Sequence, residues 1–259
     1  MAVPVIAILG GGFAGISVAQ RLERLLRPQE ARVVLLSREN FSLFTPMLPE
    51  VTSGELEVRH VVTPIRAQLR RTSFILSDVS HVDPRHKRLE YRHVLSGQSD
   101  TLEYDHLVLA LGSTTSTFGL PGVADRVFAL KSLEDAERLR NRLIWLLELA
   151  DTVRDEAYRD RLLTIAVVGG GFTGVEAAGE IEELFRSVLR YYPNVRAHGV
   201  KIVLVEAGPS LLAGLPPKMG EYSRRVLERR GIEVLTGDGV ALADDGGLQL
   251  QSGRRIETA

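Results

Sequence analysis

The sequence predicts an α/β fold in which one βαβ unit occurs twice. Two observations carry this. A buried-strand run, a glycine turn and an amphipathic helix occur in that order at Val5–Leu26 and again at Ile165–Leu189. After each helix a second apolar run follows, Val33–Leu36 in the first copy and Val200–Val205 in the second. The chain has 259 residues, 44% of them hydrophobic, enough for one large or two modest domains. With 32 basic and 33 acidic residues and no basic stripe, it carries no nucleic-acid footprint. It contains no cysteine, which excludes a zinc-thiolate site, a disulfide scaffold and a redox CxxC within these residues. No apolar run reaches the roughly 18 residues of a membrane span, and the first residues lack the pattern of a signal peptide.

Taken in order, Val5–Leu9 reads as a strand, Phe13–Leu26 as a helix punctuated by Pro28, and Val33–Leu36 as a second strand. Two prolines in Phe41–Glu57 predict an ordered loop. A short helix is expected over Val61–Leu69. Strands are expected at Phe74–Leu76, Val79–Val82, Leu89–Tyr91 and His106–Leu111, with a turn at Asp83–His86. Ser132 with Asp135 resembles a capping box opening a helix that runs to about Asp151. Beyond the second copy, Pro217–Arg230 reads as a helix and Ile232–Leu235 as a strand, with a turn at Tyr191–Asn194. Clustered Gly112, Gly119, Pro121 and Gly122 place the boundary between two domains, residues 1–117 and 118–259.

Each glycine turn fits the GxGxxG pattern in its required context, after a strand and at a helix start. In Gly10-Gly11-Gly12-Phe13-Ala14-Gly15, Gly10 permits the tight turn, Gly12 lets the backbone approach a pyrophosphate, and Gly15 lets helix and strand pack closely. Gly169-Gly170-Gly171-Phe172-Thr173-Gly174 repeats the pattern. One copy is a weak signal; two copies in context predict two Rossmann-like dinucleotide sites. The strand-end acid separates them. Glu206 ends the strand of the second copy, where a carboxylate accepts from ribose hydroxyls and repels a 2′-phosphate, favouring NADH. The first copy has Ser37 there, a neutral partner, with Glu39 two residues on as a substitute. Arg38 is a candidate for the adenine or a phosphate, or is a plain surface arginine.

From these motifs the chain resembles a type II NADH dehydrogenase, the single-subunit NADH:quinone oxidoreductase within the FAD/NAD-dependent pyridine nucleotide oxidoreductases. The matching stretches are residues 8–15, Leu43-Phe44-Thr45-Pro46-Met47-Leu48-Pro49-Glu50, residues 104–113, and residues 167–180 with Val175-Glu176-Ala177-Ala178-Gly179-Glu180. The resemblance implies that the first turn holds FAD, with Gly10, Gly12, Phe13, Ala14 and Gly15 at its pyrophosphate. It places Thr45 and Pro46 against the isoalloxazine, the Val79 backbone at the adenine, and Ala110 and Gly112 in the exit motif of the FAD domain. It assigns NADH to the second turn, through Gly169, Gly171, Phe172, Thr173 and Gly174. Glu176 matches a glutamate near the meeting point of nicotinamide, flavin and quinone, and is either a proton carrier or a helix-surface residue.

The implied reaction passes a hydride from NADH to the flavin and then electrons to a quinone. The missing cysteines set aside the disulfide reductases and sulfide:quinone reductases. Ferredoxin- and rubredoxin-reductase-like enzymes and a non-catalytic dinucleotide-binding remnant stay open as alternatives. Family members continue further, with a Gly-Asp motif completing the FAD domain and amphipathic helices binding membrane and quinone. The C-terminal part of the fold is therefore expected to be missing here, with weak FAD retention as a consequence. The resemblance further implies a peripheral position on the inner face of the cell membrane through that segment, and a homodimer.

Overall fold

The structure is a computed structural model and describes residues 3–259. The chain divides into two compact units, one made of the residues up to Phe44 with Arg59–Thr114, the other of Thr45–Val58 with Thr115–Ala259.

The first unit opens with β1 (Val5–Leu9), α1 (Phe13–Leu25) and β2 (Arg32–Ser37), the βαβ unit read from the sequence. β3 (Phe41–Leu43) follows, and the chain passes into α2 (Leu48–Ser53), which belongs to the second unit. It returns with β4 (Val62–Pro64), paired antiparallel to β3, and with α3 (Ile65–Gln68). Then come β5 (Ser73–Asp83), β6 (Arg88–His93), β7 (Ser99–Glu103) and β8 (His106–Leu109). One sheet has the order β7-β6-β5-β2-β1-β8. β5 serves it twice: its first half pairs parallel with β2, its second antiparallel with β6. That explains one departure from the sequence reading, which split this long strand in two. Alternate residues of β1 and β2 feed opposite faces. Ile8, Val33 and Leu35 pack with Ile16 and Ala19 of α1, whereas Ala7, Leu9, Val34 and Leu36 pack with Leu89, Tyr91 and Tyr104. Both faces are covered, so the strands read as continuous apolar runs.

The second unit contains α4 (Val123–Arg126), α5 (Leu133–Thr152), α6 (Glu156–Leu162), β9 (Thr164–Val168), α7 (Phe172–Val188), α8 (Pro193–His198), β10 (Lys201–Glu206), α9 (Pro217–Arg229) and β11 (Glu233–Thr236), then β12 (Val240–Asp244), β13 (Gly247–Leu250) and β14 (Arg255–Glu257). The parallel sheet has the order β11-β10-β9 and the antiparallel meander the order β12-β13-β14. Ile202 and Leu204 of β10 face the helices; Val203 and Val205 face the meander. The capping box forms: Ser132 Oγ accepts from Asp135 N at 3.1 Å and Asp135 Oδ2 accepts from Ser132 N at 2.9 Å.

Several expectations are corrected. Residues 41–57 are not a loop: β3, a 3-10 turn at Thr45–Met47 and α2 occupy most of them, with Pro49 at the second helical position, where its missing N–H costs nothing. The helix expected over 61–69 is a strand followed by one helical turn, because Val62 and Thr63 pair with β3. The turn expected at Tyr191–Asn194 leads directly into α8, which also has Pro at its start.

Candidate functional site

The two glycine turns have nearly the same backbone. Gly10 and Gly169 take φ of +110° and +105°, which a residue with a Cβ rarely adopts. Gly10 N donates to Leu36 O and Gly169 N to Val205 O, both at 2.8 Å, locking each turn onto the next strand. A Cβ on Gly15 would overlap the Gly10 carbonyl, and one on Gly174 the Gly169 carbonyl. At Gly12 and Gly171 an added Cβ would meet nothing within 4 Å. Each turn therefore leaves open space in front of a helix start, as a cofactor pyrophosphate requires.

The helix starts fit that role. α1 and α7 have glycine N-caps, no side-chain cap and no acidic residue in the first turn. Their first N–H groups and positive dipole ends stay available to phosphate. α5, which follows no glycine turn, has its capping box and both Glu134 and Asp135 in its first turn. Phe13 and Phe172, the first helical residues, are both exposed. Phe13 packs edge-to-face on Phe44 at 5.6 Å, fixing the residue that precedes Thr45 and Pro46. Ala14 and Thr173 occupy the next helical position in each copy.

The copies differ where the sequence differs. Glu206 is half-buried, with Oε2 accepting from Gly170 N at 2.6 Å and Oε1 from Gly208 N at 2.5 Å. This is a fixed carboxylate at the mouth of the second turn, not a solvated strand-end charge. Each oxygen keeps acceptor capacity for a hydroxyl. Ser37 holds the equivalent place: a Cβ on Gly11 would lie 2.7 Å from Ser37 Oγ, as one on Gly170 would lie 2.9 Å from Glu206 Cβ. Among the described residues, Ser37 Oγ accepts only a long bond, 3.4 Å, from Glu39 N. Arg38 is exposed, 4.0 Å from Asp78. Val79 is half-buried in β5, beside the bulge at Val79/His81. Ala110 N donates to Leu9 O at 2.8 Å, and the Ala110 carbonyl lies against Gly10. Gly112 takes φ +73° just beyond. Among the described residues nothing occupies the corresponding place over Gly169, since β9 has one neighbouring strand there and β1 has two.

Glu176 lies on α7, one turn before Glu180, and α7 packs on α2, which carries Glu50. Burial first, then the charges of Glu50 and Glu180, raise the Glu176 carboxyl above its ordinary 4.5. Glu50 Oε2 and Glu180 Oε2 are buried without a hydrogen-bond partner among the described residues. Glu50 and Glu180 were missed as site residues. The i, i+4 spacing of Glu176 and Glu180 was readable; Glu50 was hidden because two prolines made α2 read as loop.

A family model described as pyridine nucleotide-disulphide oxidoreductase matches residues 4–259. The chain belongs to this family. A curated relative, the external alternative NADH-ubiquinone oxidoreductase of Yarrowia lipolytica mitochondria, is 32% identical over 250 residues, covering 93% of this chain and 42% of its own length. The type II NADH:quinone oxidoreductase Ndh of Mycobacterium tuberculosis is 31% identical over 265 residues, covering 98% and 55%. Among solved structures, NDH2 of Plasmodium falciparum in complex with NADH superposes with a TM-score of 0.89 at 27% identity, over 99% of this chain and 52% of that one. The chain thus spans about half the length of the curated relatives it matches. Despite the family's name, it holds no cysteine.

Proposed function

We propose that the protein is an FAD-dependent oxidoreductase that takes a hydride from NADH and passes electrons to a quinone, as a type II NADH dehydrogenase. The observation that carries this is the pair of matching glycine turns whose strand ends differ, Ser37 against Glu206. A neutral strand end suits a cofactor held by many other contacts; a fixed carboxylate suits a substrate that must be told from its phosphorylated form. The names of the relatives support the donor and the acceptor.

In this reading residues 1–117 form the FAD-binding part and 118–259 the NADH-binding part. The Gly12 and Phe13 amides hold the flavin cofactor's pyrophosphate, with Ala14 and Gly15 letting the helix come close. Ser37 and Arg38 meet the adenosine, the Val79 backbone meets the adenine, and Ala110 and Gly112 close over the turn. Thr45 and Pro46 lie along the isoalloxazine. The Gly171, Phe172 and Thr173 amides hold the NADH pyrophosphate, and Glu206 accepts from its ribose. FAD, when bound, accepts the hydride and supplies electrons to the acceptor; the protein positions the rings and moves protons. Glu176, with its raised affinity for a proton, delivers one during quinone reduction.

Among the described residues no helix is long and apolar enough to cross a membrane. We place the protein peripherally on the inner face of the cell membrane, and as a homodimer. The test is anaerobic addition of NADH to the FAD-loaded protein, followed by a soluble quinone. Bleaching of the flavin bands and their return on quinone addition are expected. Flavin bands that NADH leaves unchanged would overturn the reading; return with ferredoxin but not quinone would favour the ferredoxin-reductase alternative.

A further inference from the structure

We propose that Phe44 is a positioning residue for the flavin cofactor, holding the Phe13 ring and with it the first turn of α1 ready for the pyrophosphate. The proposal deepens the reading of the first glycine turn as the FAD site and rests on it. Phe13 is the first residue of α1, directly after Gly12. Its ring meets Phe44 edge-to-face, with centroids 5.6 Å apart and planes at 83°. Both rings are exposed and neither belongs to a core cluster, so the pair is not there to fill the interior.

The pair is one arm of a two-armed brace. The β3–β4 ladder ends on one side where Phe44 N donates to Val61 O at 2.8 Å, and on the other where Ile65 N donates to Asn40 O at 2.9 Å. Phe44 and Ile65, one at each end, both touch the glycine turn. Ile65 is fully buried, and a Cβ on Gly11 would lie 2.5 Å from its Cδ1. Phe44 reaches the residue that follows Gly12. Three successive glycines have much backbone freedom to lose, and α1 has no side-chain cap to hold its start. A brace on each side of the turn removes that freedom before the cofactor arrives, so ordering the turn no longer opposes binding.

The second turn has only one of these arms. Leu211 lies against Gly170 as Ile65 lies against Gly11, its Cδ2 2.5 Å from where a Cβ would stand. Leu212 N ties that segment to Gly170 O at 2.8 Å. Phe172, the counterpart of Phe13, has no ring partner among the described residues. The aliphatic arm is therefore common to both copies, and the aromatic arm belongs to the first alone. The first copy is the one assigned to the cofactor that stays bound, whereas the second takes a substrate that leaves at every turnover.

The test is titration of the apoprotein with FAD, followed by flavin fluorescence, for the parent, Phe44→Ala, Phe13→Ala and the double variant. NADH is titrated alongside at saturating FAD. Phe44→Ala keeps the backbone bond to Val61 and removes an exposed ring, so the variant should fold. It should weaken FAD by about two- to twelvefold, the ~0.5–1.5 kcal/mol of an edge-to-face pair converted at about 1.4 kcal/mol per decade. NADH affinity should be unchanged. Phe44→Tyr, which keeps the ring, should bind FAD as the parent does. In the Phe13→Ala background the Phe44 change should have no further effect, because Phe44 acts through that ring. Parent-like FAD affinity of Phe44→Ala, equal losses for FAD and NADH, additive losses in the double variant, or no recovery with tyrosine would each overturn the proposal. A parent chain that takes up no FAD would instead overturn the FAD reading of the first turn, and this proposal with it.

Discussion

In a Glu206→Ser variant the preference for NADH over NADPH should fall by an amount the site's geometry allows to be worked out. The carboxylate is held by Gly170 N at 2.6 Å and Gly208 N at 2.5 Å, leaving one acceptor position on each oxygen for a ribose hydroxyl. A hydrogen bond to a charged group is worth about 1.5–3 kcal/mol, and the half-buried site calls for the lower end. Two such bonds give about 3 kcal/mol, of which serine restores about 1 through a neutral bond. The NADH Kd should then rise by about 30-fold. NADPH gains at the same time, because its phosphate no longer faces a carboxylate across an effective dielectric of about 20. Serine is sterically acceptable, since Ser37 occupies the same place in the first copy. Two backbone N–H groups lose a charged acceptor, so a stability loss of about 1–3 kcal/mol accompanies the change. The assay is calorimetric titration with each dinucleotide, with a parallel thermal melt. A lowered melting temperature with an unchanged NADH/NADPH ratio would refute the reasoning and leave Glu206 as a clamp on the turn.

Ser37→Asp should tighten FAD by about 1 kcal/mol, the excess of a charged over a neutral hydrogen bond, measured by titrating the apoprotein; no gain would point to Glu39 as the ribose partner. Gly174→Ala should destabilise by about 1–3 kcal/mol in urea, since its Cβ would overlap the Gly169 carbonyl and the turn must shift. Glu176→Gln tests the raised carboxyl. A folded-state value above 4.5 means that parent stability falls as pH rises past 4.5, and glutamine has no such charge to suppress. The variant should therefore melt with the parent below pH 4.5 and above it at neutral pH; a constant difference at all pH would show that Glu176 is not perturbed.

Where burial and glycine geometry act together, the fold could be read in the sequence. Val5–Leu9 and the two helices after the glycine turns were readable because strands covered on both faces become apolar runs and because Gly10, Gly15 and their counterparts are required by backbone overlap. Legibility failed where partners distant in sequence decide. Val62 and Thr63 are a strand only because β3 lies beside them, and the short β12–β14 meander shows no long periodicity. In the site, the turns and Glu206 were legible as a motif. The two amides that fix Glu206 come from Gly170 and Gly208, 36 residues before it and two after it, and no sequence pattern announces that pair. Glu50 meets α7 through packing of α2, which the prolines concealed.

The division of labour between the two turns is tested most directly by measuring FAD and NADH binding to Gly12→Val and Gly171→Val. Both glycines have extended backbone that valine favours, φ −83° and −74°, and neither would bring its new Cβ within 4 Å of any protein atom. The fold should accept both changes, so a loss of binding reports the space in front of the helix. Gly12→Val should lose FAD and keep NADH; Gly171→Val should lose NADH and keep FAD. The reverse pattern would show the assignments exchanged, and parent-like binding of both dinucleotides by both variants would contradict the account.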